Sequence, residues 1–406
     1  MSSTVRTQCG GCDSASLRPI LNLGSSPLAN AFPKDPSTGL EDRYPLGLIQ
    51  CGRCSLVQSV AVVPDELVWG GDYGFYTGTS GELVQYFRRY SEWALDYFWP
   101  LATPLVVEIG CNDGTLLHHF ARHAKVVGVD PAAGPAEVAR TKGMNVITDS
   151  FGMRVAGKII GEYGQAGLVI ANNVAAHVSD LDDFFAGLAA LLAPGGAAVV
   201  EVQYLPDLLA GNGVDLVYHE HRSFFSGTSL ARVAERHDLR WLNHTFQPTQ
   251  GGSIRVVLNR GHDGRPSVAE TGLRKSEEWL WDLAVGDTLQ GRADRVKTRL
   301  RDTVGELLNA GLTIAGYGAP AKATTLFHWA GLDVEQVRWV EDTTPGKIGR
   351  YLPGTRVPIV SPESGPHPDV YLLTIHNYAR GVIAKELEFM KAGGRFLLPL
   401  PMPQVI

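Results

Sequence analysis

Cysteine is scarce, five in 406 residues, too few for a disulfide scaffold. Long apolar runs are missing too. Leu188–Ala193 and Ala197–Val202 are cut apart by Pro194, Gly195 and Gly196, whereas a membrane span needs about 20 apolar residues. There is no excess of basic charge. Lys+Arg number 36 and Asp+Glu 42, a net charge of −6, so neither nucleic acid nor a membrane is expected as a partner. Met1–Gly10 has no apolar h-region, so no signal peptide is expected and the cytoplasm, with reduced thiols, is the expected address. Charged residues reach only 19% and apolar residues 44%, which excludes a disordered chain. The length implies about two or three domains.

What is present falls into three parts. Residues 1–65 open with Cys9-Gly10-Gly11-Cys12 and close near Cys51-Gly52-Arg53-Cys54; the stretch between is rich in Gly, Pro and Ser. So few large apolar groups struggle to hold a fold alone. From 66 to 285 a helical stretch, Tyr86–Trp99, precedes alternating strands and helices. The strands are Leu105–Ile109, Lys125–Val129, Leu168–Ala171 and Ala197–Val202. The helices are Thr115–His123, Pro135–Lys142 and Leu181–Leu192. A helix over Ser229–His237 and a hairpin of Arg240–Gln247 with Ile254–Arg260 follow. From 286 to 406 a long helix, Asp287–Asn309, leads into strand Thr313–Gly316, helix Ala321–Trp329, strands Val337–Val340 and Val370–Thr374, helix Ala379–Lys391 and strand Arg395–Leu398. The fold class is therefore α/β: a small zinc-binding module, a central Rossmann-like domain and a second Rossmann-like domain, with a cleft between the last two.

Two C-x-x-C knuckles supply four thiolates, the tetrahedral set of structural zinc. Cys9, Cys12, Cys51 and Cys54 are the expected ligands. A closed four-thiolate site leaves no open position, so this metal should not be catalytic.

Glu108-Ile109-Gly110-Cys111-Asn112-Asp113-Gly114 follows a buried strand and opens a helix. Gly110 and Gly114 allow a tight turn and close approach of a ligand. Asp130 stands about 20 residues on, at the tip of the next strand, where a carboxylate meets ribose hydroxyls. The pattern is E-x-G-x-x-x-G rather than the G-x-G-x-x-G of NAD folds, and so favours S-adenosylmethionine (SAM). Ser150 and Phe151 are expected beside the adenine. Asn172 and Asn173, after the fourth strand, are expected by the methyl donor. A D/N-P-P-Y/F motif and a Pro-Cys nucleophile are both lacking, which speaks against nucleic-acid methylation.

Tyr218-His219-Glu220-His221 is a dense polar cluster. If extended, Tyr218 and Glu220 face one way and the two histidines the other. It lacks the i, i+4 histidines of a zincin helix, and imidazole titrates near 6.5, which suits proton transfer. His177 and Tyr76 are expected to join it. In the last part, Gly316-Tyr317-Gly318 precedes a helix, where phosphate is readily held, with Lys322 as its partner.

These motifs occur together with Gln250-Gly251-Gly252-Ser253-Ile254-Arg255 and Gly316–Lys322. The combination resembles the SAM-dependent nucleotide-sugar C-methyltransferases of antibiotic deoxysugar biosynthesis, over nearly the whole chain. The resemblance implies a dTDP-4-keto-6-deoxyhexose substrate methylated at C3, or else C5. It implies His221 as the base, with Tyr218 and Glu220 orienting it or touching the sugar. His177 and Tyr76 would lie around the keto-sugar and methyl donor, and Tyr317 and Lys322 at the sugar-nucleotide diphosphate. A carbon next to a ketone becomes nucleophilic only as its enolate, so the cluster suits the chemistry. An NADPH-dependent ketoreductase or bifunctional enzyme is the alternative. Against it, Ala321 stands where a third glycine belongs, and Glu335 is a poor ribose acid. A zinc-module scaffold or nucleotide sensor is the non-enzymatic alternative. A monomer or weak homo-oligomer is expected.

Overall fold

The computed structural model describes residues 3–35, 41–69, 76–261, 266–283, 288–365 and 367–406. The Asp72–Phe75 stretch before Tyr76 and the expected helix start at Asp287 lie outside the described residues.

The first unit holds β1 (Thr4–Val5), β2 (Leu17–Ser26), β3 (Tyr44–Cys51), β4 (Val57–Ser59) and β5 (Ala61–Val62). β2, β3 and β4 form an antiparallel sheet, and a strand from far along the chain, Ser223–Phe224, completes it by pairing with β4. This sheet is not legible in the sequence. β3 is buried on both faces and so shows no alternation, and β2 shifts register twice.

α1 (Asp65–Trp69) and α2 (Gly81–Phe98) lead into the second unit. Ser80 caps α2 by accepting from the Leu83 amide. Five strands then run parallel: β6 (Leu105–Ile109), β7 (Lys125–Val129), β8 (Asn145–Ile147), β9 (Ala166–Asn172) and β10 (Leu192–Gln203). The helices among them are α3 (Ala133–Thr141), α4 (Met153–Tyr163) and α5 (Leu181–Leu191). After them come α6 (Leu205–Ala210), β11 (Ser223–Phe224), α7 (Gly227–Glu235), β12 (Leu239–Gln247) and β13 (Ser253–Arg260). The sheet order is β12-β13-β10-β9-β6-β7-β8, with the last hairpin antiparallel as expected. The chain order reverses between β6 and β9, and ligands bind at such a switch point, beyond the carboxyl ends of the strands. The expected helix over Thr115–His123 is instead a short 3₁₀ segment, Leu117–Phe120, whose Leu117 and Phe120 are driven into the core.

α8 (Val268–Ser276) and α9 (Leu289–Asn309) connect to the third unit: β14 (Ile314–Tyr317), α10 (Ala321–Ala330), β15 (Val340–Glu341), β16 (Ile359–Val360), β17 (Val370–Leu373), α11 (Ala379–Lys385), α12 (Leu387–Lys391), β18 (Arg395–Leu398) and β19 (Gln404–Val405). Its order is β16-β15-β14-β17-β18-β19, parallel but for β19. The helix expected over Ala379–Lys391 breaks at Glu386, whose carboxylate accepts from Tyr317 Oη at 2.8 Å. No helix among the described residues is long and apolar enough to cross a membrane.

The apolar core does not respect these units. One cluster joins the four cysteines and Leu56 to Val200, Leu230 and Val233 of the second unit. Another joins Ile20, Leu46, Leu48 and Val57 of the first unit to Leu205 and Leu209 of the second and to Leu326 and Phe327 of the third. The small module is thus a wedge between the two larger ones.

Candidate active site

The four cysteines converge. Their Sγ atoms all lie within 4.8 Å of one another, and every one is buried. Cys9–Cys54 and Cys12–Cys51 stand at 3.5 Å. A zinc tetrahedron with bonds of about 2.3 Å has S···S edges of about 3.8 Å, so the set fits zinc. The amides of Gly11 and Arg53 donate to Cys9 and Cys51 Sγ, which favours thiolates. This is a structural zinc site.

At the switch point the chain builds a cradle. Gly110 has φ +70° and a Cβ there would lie 2.4 Å from Val174 Cγ2; Gly114 has φ +75°. Both positions need glycine. Asp130 accepts the amides of Asn112 and Ala132, each at 2.8 Å, so the acid of the second strand ties the loop of the first. Burial raises the Asp130 carboxyl from its ordinary value against these two bonds. Glu108 is buried and its carboxyl is pushed well above the usual range by desolvation and by Asp130. Glu108 Oε2 and both polar atoms of Asn172 are buried without a hydrogen-bond partner among the described residues. Buried polar atoms without protein partners at a switch point fit a polar ligand, here SAM. Asn173 adopts φ +55° and donates its amide to Glu201 O. Phe151 packs edge-on against Phe184, and Ser150 is exposed beside it. Tyr76 covers the cradle: its hydroxyl lies 2.7 Å from where a Cβ on Gly134 would stand, at the start of α3. Next to it, the amides of Thr77 and Gly78 donate to the Asn112 and Asp113 side chains at 2.8 Å.

Tyr218–His221 is a turn, not an extended segment. The His221 amide donates to Tyr218 O at 2.9 Å, so the expected split of faces does not hold. Tyr218 and His221 come to one side with ring centroids 4.0 Å apart, and His177 stands 4.9 Å from His221. His219 goes the other way, against Tyr44 of β3. His221 Nδ1 donates to Leu216 O at 2.7 Å and His177 Nδ1 to Glu220 O at 2.8 Å. A carbonyl only accepts, so both rings carry the proton on Nδ1 and keep a lone pair on Nε2. Burial, together with His177, lowers the His221 pKa to about 3, and burial lowers that of His177. Both are neutral near pH 7. Glu220 is buried, and desolvation lifts its carboxyl to about 7. Its Oε1 accepts from Asn30 Nδ2 of the first unit at 3.0 Å.

Tyr317 and Lys322 have side-chain partners other than this turn's rings. Tyr317 is tied to Glu386. Lys322 Nζ donates to Asn377 Oδ1 at 2.5 Å and stands 3.7 Å from Asp215 Oδ2. Glu335 is a poor ribose acid in the sequence; in the structure Glu341 and Asp342 stand at the tip of β15. Asp342 accepts the amides of Ala319 and Thr344 at 2.8 Å, the same device as Asp130.

A brace behind the cradle is not legible in the sequence. Glu201 accepts from Tyr86 Oη at 2.6 and 2.7 Å and from Arg255 Nε at 2.8 Å, and the Arg255 guanidinium lies 3.8 Å from the Tyr90 ring centroid. Glu201 pairs in register with Asn172 on one side and Arg255 on the other. The available signal was Arg255 in the Gln250–Arg255 motif, but its partner is set by strand pairing.

Three family matches tile the chain: "Putative zinc binding domain" over residues 9–69, "Methyltransferase domain" over 84–244 and "C-methyltransferase C-terminal domain" over 248–401. C-methyltransferase NovU of Streptomyces niveus is 36% identical over 406 residues, covering 98% of this chain and 96% of its own. The chain belongs to the SAM-dependent C-methyltransferases. A ubiquinone biosynthesis O-methyltransferase of Methylocella silvestris is 31% identical over 168 residues, 38% of this chain and 66% of its own length. Among solved structures, magnesium protoporphyrin IX methyltransferase (ChlM) from Synechocystis PCC 6803 with bound SAM matches 44% of this chain and 79% of its own, at 16% identity and a TM-score of 0.33.

Proposed function

We propose that this C-methyltransferase methylates a ring carbon next to the ketone of a dTDP-4-keto-deoxysugar, at C3 or else C5. The observation that carries the reading is the His221–His177 pair, neutral and with both Nε2 lone pairs free of the carbonyl bonds, His221 on the turn and His177 on the loop that leaves β9 after Asn172 and Asn173. Glu108, Gly110, Asn112, Gly114, Asp130, Ser150, Phe151, Asn172 and Asn173 would hold SAM, and bound SAM supplies an electrophilic methyl group. His221 Nε2 takes the proton from the carbon next to the ketone, and the C–H electron pair becomes the enolate. Deprotonation must occur where water does not compete, and the buried turn provides that. Tyr218, 4.0 Å from the base ring, bears on the sugar; Glu220 fixes His177 through its carbonyl. Tyr76 closes the cradle from the N-terminal side.

The test separates deprotonation from methyl transfer. With S-adenosylhomocysteine in place of SAM, the wild type exchanges the sugar α-proton with deuterated water. His221→Asn is expected to lose about 10²–10⁴ in that rate while SAM affinity stays within a few-fold. Exchange at the wild-type rate would assign the base elsewhere. Product NMR reads which carbon gains the methyl. Thermal shift with NADPH tests the ketoreductase alternative, which the Asp342 device at the tip of β15 keeps in view; SAM, and not NADPH, is expected to raise the melting temperature.

A further inference from the structure

Between His221 and the third unit lies a short 3₁₀ segment, Val214–Leu216. Leu216 O is the acceptor that holds the proton on His221 Nδ1. The residue before it, Asp215, has a fully buried side chain. Its Oδ2 accepts from His376 Nε2 at 2.8 Å and faces Lys322 Nζ at 3.7 Å. The residue after it, Val217, offers its carbonyl to Thr325 Oγ1 at 3.3 Å. His376 follows β17, and Lys322 and Thr325 belong to α10, so all three partners come from the third unit. Leu216 is therefore bracketed: both of its neighbours are held by the third unit, which restrains the backbone that carries its carbonyl.

A buried carboxylate is costly unless it is paired. Among the described residues the side-chain partners of Asp215, the His376 ring and the Lys322 ammonium, both come from the third unit. A turn that needed only packing would be served by an apolar residue; a carboxylate here makes the shape of the turn depend on the neighbouring unit.

We propose that Asp215, gripped by His376 and Lys322, is a positioning residue that holds the Leu216 carbonyl and through it the ring orientation and tautomer of His221, so that docking of the C-terminal unit assembles the base. The proposal rests on His221 being the base. Lys322 then acts on the turn rather than on a phosphate.

The experiment compares His221→Asn, His376→Ala, His376→Gln and Asp215→Asn by α-proton exchange of a dTDP-4-keto-6-deoxyhexose in deuterated water with S-adenosylhomocysteine, and by kcat and KM with SAM. A base displaced by an ångström or so loses about 10- to 100-fold. His376→Ala and Asp215→Asn are expected to lose that much in exchange and kcat, with both KM values within about threefold. His376→Gln retains an N–H donor toward Asp215 and is expected to recover most of the rate. If His376→Ala does not fold, Asp215→Asn, of nearly equal volume, carries the comparison. His221→Asn dead with His376→Ala and Asp215→Asn at the wild-type rate overturns the clamp alone. His221→Asn at the wild-type rate overturns the base assignment and the clamp with it. A loss seen in KM rather than in kcat also overturns the clamp and returns these residues to substrate binding.

Discussion

At the scale of single residues, the fold decides where the protons of the two paired imidazoles sit. Two backbone carbonyls, Leu216 O at the end of the 3₁₀ segment and Glu220 O in the following turn, put the protons of His221 and His177 on Nδ1. Burial then keeps both rings neutral. Glu220 is the group tuned to physiological pH, at about 7 against an ordinary 4.5. An inflection near pH 7 in kcat/KM should thus vanish in Glu220→Gln. Stability carries the same signature. The folded chain binds this proton more tightly than the unfolded chain, so the stability Glu220 contributes is full below about pH 4.5 and is lost as pH rises to about 7. Relative to the wild type, the melting temperature of Glu220→Gln should climb over that window; a constant difference would show that Glu220 does not titrate there. The residue types of this cluster were readable in the sequence. Their directions were not, because a turn and an extended strand distribute four side chains differently.

Elements place these residues. The cradle is the loop between β6 and the 3₁₀ segment, and its shape is held by an acid on the neighbouring strand. Asp130 accepts the Asn112 amide of that loop on one oxygen and the Ala132 amide after its own strand on the other, so its side chain shapes the loop; in the proposed function it also meets the ribose. Asp130→Ala should weaken SAM binding about 10- to 150-fold, the loss of one charge-assisted hydrogen bond of about 1.5–3 kcal/mol. Asp130→Asn keeps one acceptor oxygen and should fall between. Calorimetry showing unchanged affinity in Asp130→Ala would remove it from the site. The cradle was legible because glycine spacing and a strand-tip acid are local patterns. The Glu201–Arg255–Tyr86 brace was not. Its members come from β10, β13 and α2, and only strand register puts Glu201 opposite Arg255. The same holds for Asp342, whose strand is only two residues long.

At the scale of the whole molecule, the zinc module does more than fold itself. Asn30 reaches Glu220, Tyr44 packs on His219, and Ala29 O accepts from Thr324 of α10. Elemental analysis should find about one zinc per chain. Cys51→Ser should lose it, lower the melting temperature, and reduce α-proton exchange, while SAM affinity stays within a few-fold because the cradle lies in the second unit. Exchange at the wild-type rate in a zinc-free, folded variant would separate the module from the chemistry. The sequence announces the module through its two knuckles, and nothing in it announces the wedge, since contacts between units leave no periodic trace.

The strand Ser223–Phe224 gives this arrangement a history as well as a shape. It sits two residues beyond His221, yet its hydrogen bonds belong to the sheet around the zinc knuckles. A hybrid made by exchanging residues 9–69 with those of a relative would leave the incoming sheet facing an edge strand it never evolved beside. Inheritance should therefore treat the two stretches as one cassette, and changes on β4 should be answered by changes at 223–224 across a gap of more than 150 residues. Recombination that respects the linear boundaries would break it, while recombination that carries both pieces would move the module and the Tyr218–His221 turn together.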